Sequence, residues 1–494
     1  MERKSGIICH ITSLPGKYGI GTLGKSAYKF VDFLIQTKQK LWQILPLGPT
    51  GYGDSPYQCF SAYAGNPLLI SLEELQNDGW LSAEDFENEP QFDTKRIDFG
   101  EVINFKNPLL RKAFANFNEK AKNVDKIKFR NFCARNEKWL NDFALFMSLK
   151  SHFDGKPWVE WETGIRLREK DAVNYYTNEL IHEIDFQKFA QFLFFKQWLE
   201  VKSYANNNGV QIIGDIPIYI AADSADAWTN SELFFFSDDR KPIQVAGVPP
   251  DYFSETGQLW GNPIFNWEKL RETGFEWWID RIKANLLLYN IIRIDHFRGF
   301  EAYWSVPFGE ATAVNGEWVK APGTDLYRTI REKLGNIDII AEDLGVITPE
   351  VEELRDSFGL PGMKVLQFGD YGKGTDEYIP HNFPTNCVVY TGTHDNDTTV
   401  SWYNSISDAE KQKVNTYYNC DGSQIHWTLI RAAWSSVGYI AVAPLQDVLG
   451  LGGESRMNMP GAASGNWGWR FEDGDLCKVL DEGKLLQLTE LFGR

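Results

Sequence analysis

Short apolar runs bounded by turn residues recur along the chain, and four of them end in a carboxylate. They cover residues 211–215, 291–296, 339–343 and 388–395, and the acids are Asp215, Asp295, Glu342 and Asp395. A β-branched run without polar alternation reads as a strand buried on both faces, as in a parallel sheet wrapped by helices. Residues 6–10, 41–46, 363–367 and 439–443 read as four further strands. Helical patterns lie between them. Ala27, Phe30, Val31 and Leu34 make one apolar face, and Phe192, Phe195, Trp198 and Leu199 make another, closed by Asn208-Gly209. Thr348-Pro349-Glu350 reads as an N-cap, a first-turn proline and an acid at the positive helix end. Eight strands alternating with helices predict an α/β fold, a (β/α)8 barrel.

Two intervals are too long for simple crossovers. Residues from about 66 to 190, between the second and third strands, carry charged helical pattern and predict a helical insertion. Residues 221–275, between the third and fourth strands, are rich in Gly, Pro, Trp and Phe and predict an ordered, lid-like loop over the active face. The expectation is one catalytic domain over residues 1–494, without a separate C-terminal β-domain.

Composition narrows the partners. A formal net charge of -17 opposes binding to a phosphate backbone, so nucleic acid is not expected. No run approaches the roughly 18 apolar residues that span a bilayer, so no membrane partner is expected either. The six cysteines show no Cys-x-x-Cys pair and no His at zinc spacing, which fits a reducing cytoplasm and no structural zinc. The 18 Trp mostly read as core filling.

In a (β/α)8 barrel the C-terminal strand ends form the active face, so the acids there are candidates for chemistry. Retaining cleavage of a glycosidic bond needs one carboxylate to attack the anomeric carbon and a second, protonated, to donate to the departing oxygen. Asp295 and Glu342 end adjacent predicted strands and suit that pair. Arg293 lies two residues before Asp295, on the same side of the strand, where it would keep that acid ionised. His296 and His394 flank candidate acids. A single Asp at a strand end more often caps a helix; three acids with Arg and His neighbours point to a site.

One motif competes. Residues 19–26 satisfy the Walker A pattern, which would imply a nucleotide. A phosphate loop must follow a buried strand directly, and residues 14–18 contain Pro15 and Gly16 where that strand would lie. The run reads as a loop leading into the first barrel helix, and Gly450 to Glu454 as a turn after strand eight.

Arg293-Ile294-Asp295-His296-Phe297-Arg298-Gly299, Ala341-Glu342-Asp343-Leu344-Gly345 and Gly392-Thr393-His394-Asp395-Asn396-Asp397 resemble signatures of the 4-α-glucanotransferase, or amylomaltase, family of the α-amylase clan. The resemblance begins at Ser13-Leu14-Pro15-Gly16, continues through residues 51–57 and reaches residues 458–461 with Asn466-Trp467. Thr22 departs from the Asp expected there, at a position away from the acids.

The resemblance implies Asp295 as nucleophile, Glu342 as acid/base and Asp395 as the carboxylate that holds the distorted sugar. Arg293, His296 and His394 would support them. It further implies sugar contacts from Ser55, Tyr57, Asp215, Asp370 and Asn466, and a second glucan site at Tyr52. A substrate-covering loop would contribute Asp251, Phe253, Gln258 and Trp260. The implied partners are α-1,4-glucans; the residues themselves, with the three acids spread across strands and no evident ligand cage, imply no cofactor and no metal, although some members of the clan carry a structural calcium. A retaining α-glucan hydrolase and a catalytically idle glucan-binding protein are the competing readings. Transfer prevails over hydrolysis when an acceptor sugar is held at the covalent intermediate and water is kept out, which an aromatic lid can do.

Overall fold

The structure is a computed structural model that describes residues 2–250, 254–462 and 464–494, with only the backbone at Tyr52. Its strands, in chain order, begin with β1 (Lys4–Ile8), β2 (Leu41–Gln43), β3 (Gln211–Pro217), β4 (Gln244–Val248), β5 (Gln258–Pro263) and β6 (Ile291–Asp295). They continue with β7 (Ala302–Pro307), β8 (Glu317–Lys320), β9 (Ile339–Ala341), β10 (Gly362–Val365), β11 (Cys387–Tyr390) and β12 (Ile440–Pro444). Eight of them pair in parallel in the order β10-β11-β12-β1-β2-β3-β6-β9. The Ala341 N–H donates to the Pro361 carbonyl at 3.0 Å and draws β9 against the start of β10. The eight runs read from the sequence as buried strands are these eight.

Alternation along the strands fills the barrel. Ile8, Leu41, Ile213, Ile291, Ile340, Val388, Tyr390, Ile440 and Val442 form one buried cluster inside it. Two larger clusters lie between the strands and the surrounding helices. Because side chains alternate with period two, the inward row that starts at Ile213, Ile291 and Ile340 continues to Asp215, Arg293 with Asp295, and Glu342. The register pairs Asp215 with Arg293, and pairs Ile294 with Ala341. Glu342, the next residue, therefore stands level with Asp295.

The interval between β2 and β3 is helical and ends in the long helix Ile181–Asn207, followed by Gly209 at φ 78°. The interval after β3 differs from the loop expected there. It carries β4 and β5, which form an antiparallel sheet in the order β5-β4-β7-β8 with two strands from beyond β6. Gly247 interrupts β4, and Gly261 and Pro263 interrupt β5, so the period-two signal is too short to read locally, and the pairing reaches across β6. Residues 251–253 lie outside the described residues.

The Walker-like run is a packed loop. A 3-10 turn, Ile11–Ser13, separates β1 from it, and Lys25 opens the helix Lys25–Gln36 from an exposed position. A Cβ on Gly21 would lie 1.9 Å from the Ile11 carbonyl oxygen, so glycine there serves close backbone packing.

Candidate active site

A series of polar and ring-stacking contacts crosses the C-terminal mouth of the barrel. Arg293 Nη1 lies 2.5 Å from Asp215 Oδ2, and its Nη2 lies 3.0 Å from Asp295 Oδ1. One fork thus holds two strand-end carboxylates. The Tyr57 hydroxyl donates to Asp215 Oδ2 at 2.8 Å, and its ring stacks on His394 with centroids 5.1 Å apart. His394 Nε2 reaches Asp395 Oδ2 at 3.2 Å. Trp467 tilts against both rings.

Glu342 joins this group through backbone. Its Oε2 accepts from the His296 N–H at 2.6 Å and its Oε1 from the Leu344 N–H at 2.9 Å. His296 has φ 54°, and this left-handed step lets the chain after Asp295 turn its N–H onto the neighbouring acid. Asp343, next in sequence, points away: it accepts from the Met363 N–H at 2.7 Å and pairs with Arg355 at 2.5 Å. A Cβ on Gly362 would lie 2.2 Å from Asp343 Oδ2, so that glycine admits the anchor.

The acids are electrostatically unequal. Burial raises Glu342 to about 8, aided by the Asp295 charge and against Arg293 and the two backbone donors. Burial also raises Asp295, but Arg293 restrains it to about 6. Asp395 goes the other way. Burial would raise it, yet the charge and hydrogen bond of His394, with Asn458, hold it well below the usual carboxylate range. His394 is raised in turn: burial opposes its charge, and Asp395 more than compensates. Burial lowers His296 to about 3, so its imidazole is neutral at ordinary pH.

The other residues read from the sequence divide. Ser55 accepts from the Tyr57 N–H at 3.2 Å and so shapes the turn that presents Tyr57. Trp260, on β5, meets His296 edge-on at 4.7 Å, and its Nε1 donates to Gln258 at 3.2 Å. Asp370 is exposed, with Lys413 3.6 Å away. Asn466 accepts from the Met459 N–H at 3.0 Å and donates to the Ala462 carbonyl at 3.0 Å, bracing its own loop. Among the described residues no bond ties Asp370 or Asn466 to the acids. Asp251 and Phe253 lie outside the described residues, as does the side chain of Tyr52.

Sequence reasoning missed two residues. Asn458 donates to Asp395 Oδ1 at 2.6 Å, and Arg456 donates to the Asp395 carbonyl at 2.6 Å. Residue 458 stood inside a motif noted for resemblance, but nothing in its spacing pointed to the acid. Among the described residues no three His, Cys, Asp or Glu side chains are grouped as metal ligands, and no helix is long and apolar enough to cross a membrane.

A parallel barrel that presents two buried carboxylates of unequal proton affinity at adjacent strand ends fits an enzyme that acts on glycosidic bonds. The comparisons carry this further. A family model described as 4-alpha-glucanotransferase matches residues 9–476, and the chain belongs to that family. It is 51% identical to a 4-alpha-glucanotransferase of Synechocystis over 100% of this chain and 98% of that one. It is 49% identical to a Thermus thermophilus 4-alpha-glucanotransferase over 96% of each. Amylomaltase from Streptococcus agalactiae, solved in complex with acarbose, superposes with TM-score 0.97 at 43% identity and complete coverage of both chains. The enzyme transfers 4-α-glucanosyl groups.

Proposed function

We propose that the chain moves segments of α-1,4-glucan between chains by double displacement on Asp295. An Asp295 oxygen bonds to the anomeric carbon as the bond from that carbon to the leaving 4-oxygen breaks, and the Glu342 proton passes to the leaving oxygen. An acceptor 4-hydroxyl then attacks the same carbon, loses its proton to the Glu342 carboxylate, and expels Asp295. Two inversions give retention.

The observation that carries this reading is the order of the two acids. Glu342 titrates near 8 and Asp295 near 6, so at neutral pH the first holds a proton to give and the second a charge to attack with. Asp395, strongly ionised and gripped from two sides, is suited to accept hydrogen bonds from the hydroxyls of a distorted sugar. Tyr57 and Asp215 would border the same ring, with Trp260 and Gln258 over it. Asp370, exposed beside Lys413, and Asn466, which braces its own loop, would supply further sugar contacts. Six unpaired cysteines support a reducing, cytoplasmic setting.

Incubation with maltotriose tests the reading. Glucose together with longer maltodextrins is the expected product set. Reducing ends rising without longer chains would instead mean hydrolysis, and no change would mean binding alone.

A further inference from the structure

Asp395 stands in a segment whose two ends meet on one buried acid. Thr391 follows β11, Thr399 opens the helix Thr399–Ser405, and the residues between them include His394 and Asp395. Asp447 Oδ2 accepts from the Thr391 hydroxyl at 2.6 Å and from the Thr399 hydroxyl at 2.7 Å. Its Oδ1 accepts from the Thr399 N–H at 2.7 Å, one of the donors that a helix start leaves without an intrahelical partner. A single carboxylate therefore closes the segment at its base.

The anchor sits in firm surroundings. Asp447 lies on the short helix Leu445–Val448 directly after β12, and Leu445 and Val448 belong to a large core cluster. It is 1% exposed, and Thr391 and Thr399 are fully buried. Burial raises its carboxyl, the Thr391 and Thr399 donors oppose that, and the nearby Asp397 charge adds to it. Among the described residues no Lys, Arg or His side chain pairs with it. A buried acid without a countercharge is unfavourable, and packing alone would be met better by an apolar side chain of similar size. Every donor to this acid lies at an end of the segment that carries Asp395.

We infer that Asp447 is a positioning residue for glucanosyl transfer, clamping both ends of the segment 391–399 so that Asp395 stays where His394 and Asn458 can aim it. The inference rests on the reading of Asp395 as the acid that holds the distorted sugar. Two substitutions at one end of the clamp separate positioning from packing. Thr391→Val keeps the volume and removes the hydroxyl; Thr391→Ser keeps the hydroxyl and removes a methyl. With both chains folded and well below their melting temperatures, Thr391→Val should lower kcat on maltotriose by about ten- to a hundredfold and change KM by less than about threefold. Thr391→Ser should return kcat to within about threefold of the parent, whatever its melting temperature. Asp447→Ala frees both ends, and in whatever fraction folds kcat should fall at least as far as in Thr391→Val. A folded Thr391→Val chain with the parent's kcat, or rates in the two Thr391 variants that follow their melting temperatures, overturns the inference. Asp395→Asn, assayed alongside, tells the two failures apart. At the parent's rate it overturns the role of Asp395 and the inference with it; inactive beside an unaffected Thr391→Val, it overturns the inference alone.

Discussion

Asn458 donates from Nδ2 to Asp395 Oδ1 at 2.6 Å, so the loop after β12 aims the carboxylate that follows β11. Arg456 braces both ends of this bond, with Nη2 on the Asp395 carbonyl at 2.6 Å and Nε on the Asn458 carbonyl at 2.7 Å. The Asn458 N–H also donates to the His394 carbonyl at 3.1 Å. A hydrogen bond to an ionised group contributes about 1.5–3 kcal/mol. If Asp395 acts mainly in the transition state, Asn458→Ala should lower kcat by about ten- to a hundredfold, with KM much less affected. Asn458→Asp should cost more, because it sets two carboxylates against each other. Steady-state kinetics on maltotriose decide it, and an unchanged kcat would reduce Asn458 to a loop tie.

What was legible in the sequence follows from the range of the forces involved. The eight barrel strands are largely buried, so each announces itself locally as a short run of mostly apolar residues, and the acids in or after four of them stand out. The sheet β5-β4-β7-β8 has no such signature. Its strands pair antiparallel across an intervening barrel strand, and Gly247, Gly261 and Pro263 break their pattern. The same distinction holds in the site. Arg293 was legible because it shares a strand with Asp295; Asn458 and Arg456 were not, because 63 and 61 residues separate them from Asp395.

The rate should depend on pH as a bell. The proposed mechanism needs Asp295 ionised and Glu342 protonated, so activity should rise as pH passes about 6 and fall as pH passes about 8. Because the Asp295 charge is a cause of the high Glu342 value, Asp295→Asn should lower the Glu342 titration. Carboxyl-selective infrared or NMR titration of that variant reads the shift directly, and a Glu342 value unmoved by Asp295→Asn would refute the coupling.

Stability should carry the same signature. Glu342 has a reference value of 4.5 and is raised to about 8, so between these values the folded chain binds more protons than the unfolded one. The Glu342 contribution is therefore fully present below about 4.5 and is lost as pH rises through about 8. Glu342→Gln cannot ionise. Its melting temperature relative to the parent should climb between pH 5 and pH 8.5, as thermal unfolding at several pH values would record; a constant difference would show that Glu342 is not buried as a neutral acid.

Arg293 holds two acids with one fork, and its side chain is 3% exposed while that of Asp215 is fully buried. Arg293→Ala leaves Asp215 and Asp295 facing each other without a countercharge, a change that costs about 3–5 kcal/mol for a broken buried pair. Arg293→Lys keeps the charge but cannot bridge both carboxylates in one plane. It should fold, with kcat reduced far more than stability, and chemical denaturation run beside kinetics separates the two effects.

The proposed function makes Trp260 a determinant of which acceptor wins. It sits on β5, edge-on to His296 at 4.7 Å, with the neutral imidazole beneath it and Tyr219 tilted alongside. Covering the covalent intermediate with an indole removes water and leaves an apolar face for an incoming glucose unit, so transfer gains over hydrolysis at a shared intermediate. Trp260→Ala should cleave donor at a rate within about tenfold of the parent, because no group that moves a proton is lost. The partition should change instead, with the share of products arising from water increasing severalfold. Chromatographic counting of longer maltodextrins against new reducing ends measures that partition. A ratio equal to the parent's would mean that Trp260 packs the insertion sheet without shielding the intermediate, and that acceptor capture depends on other residues at the barrel mouth.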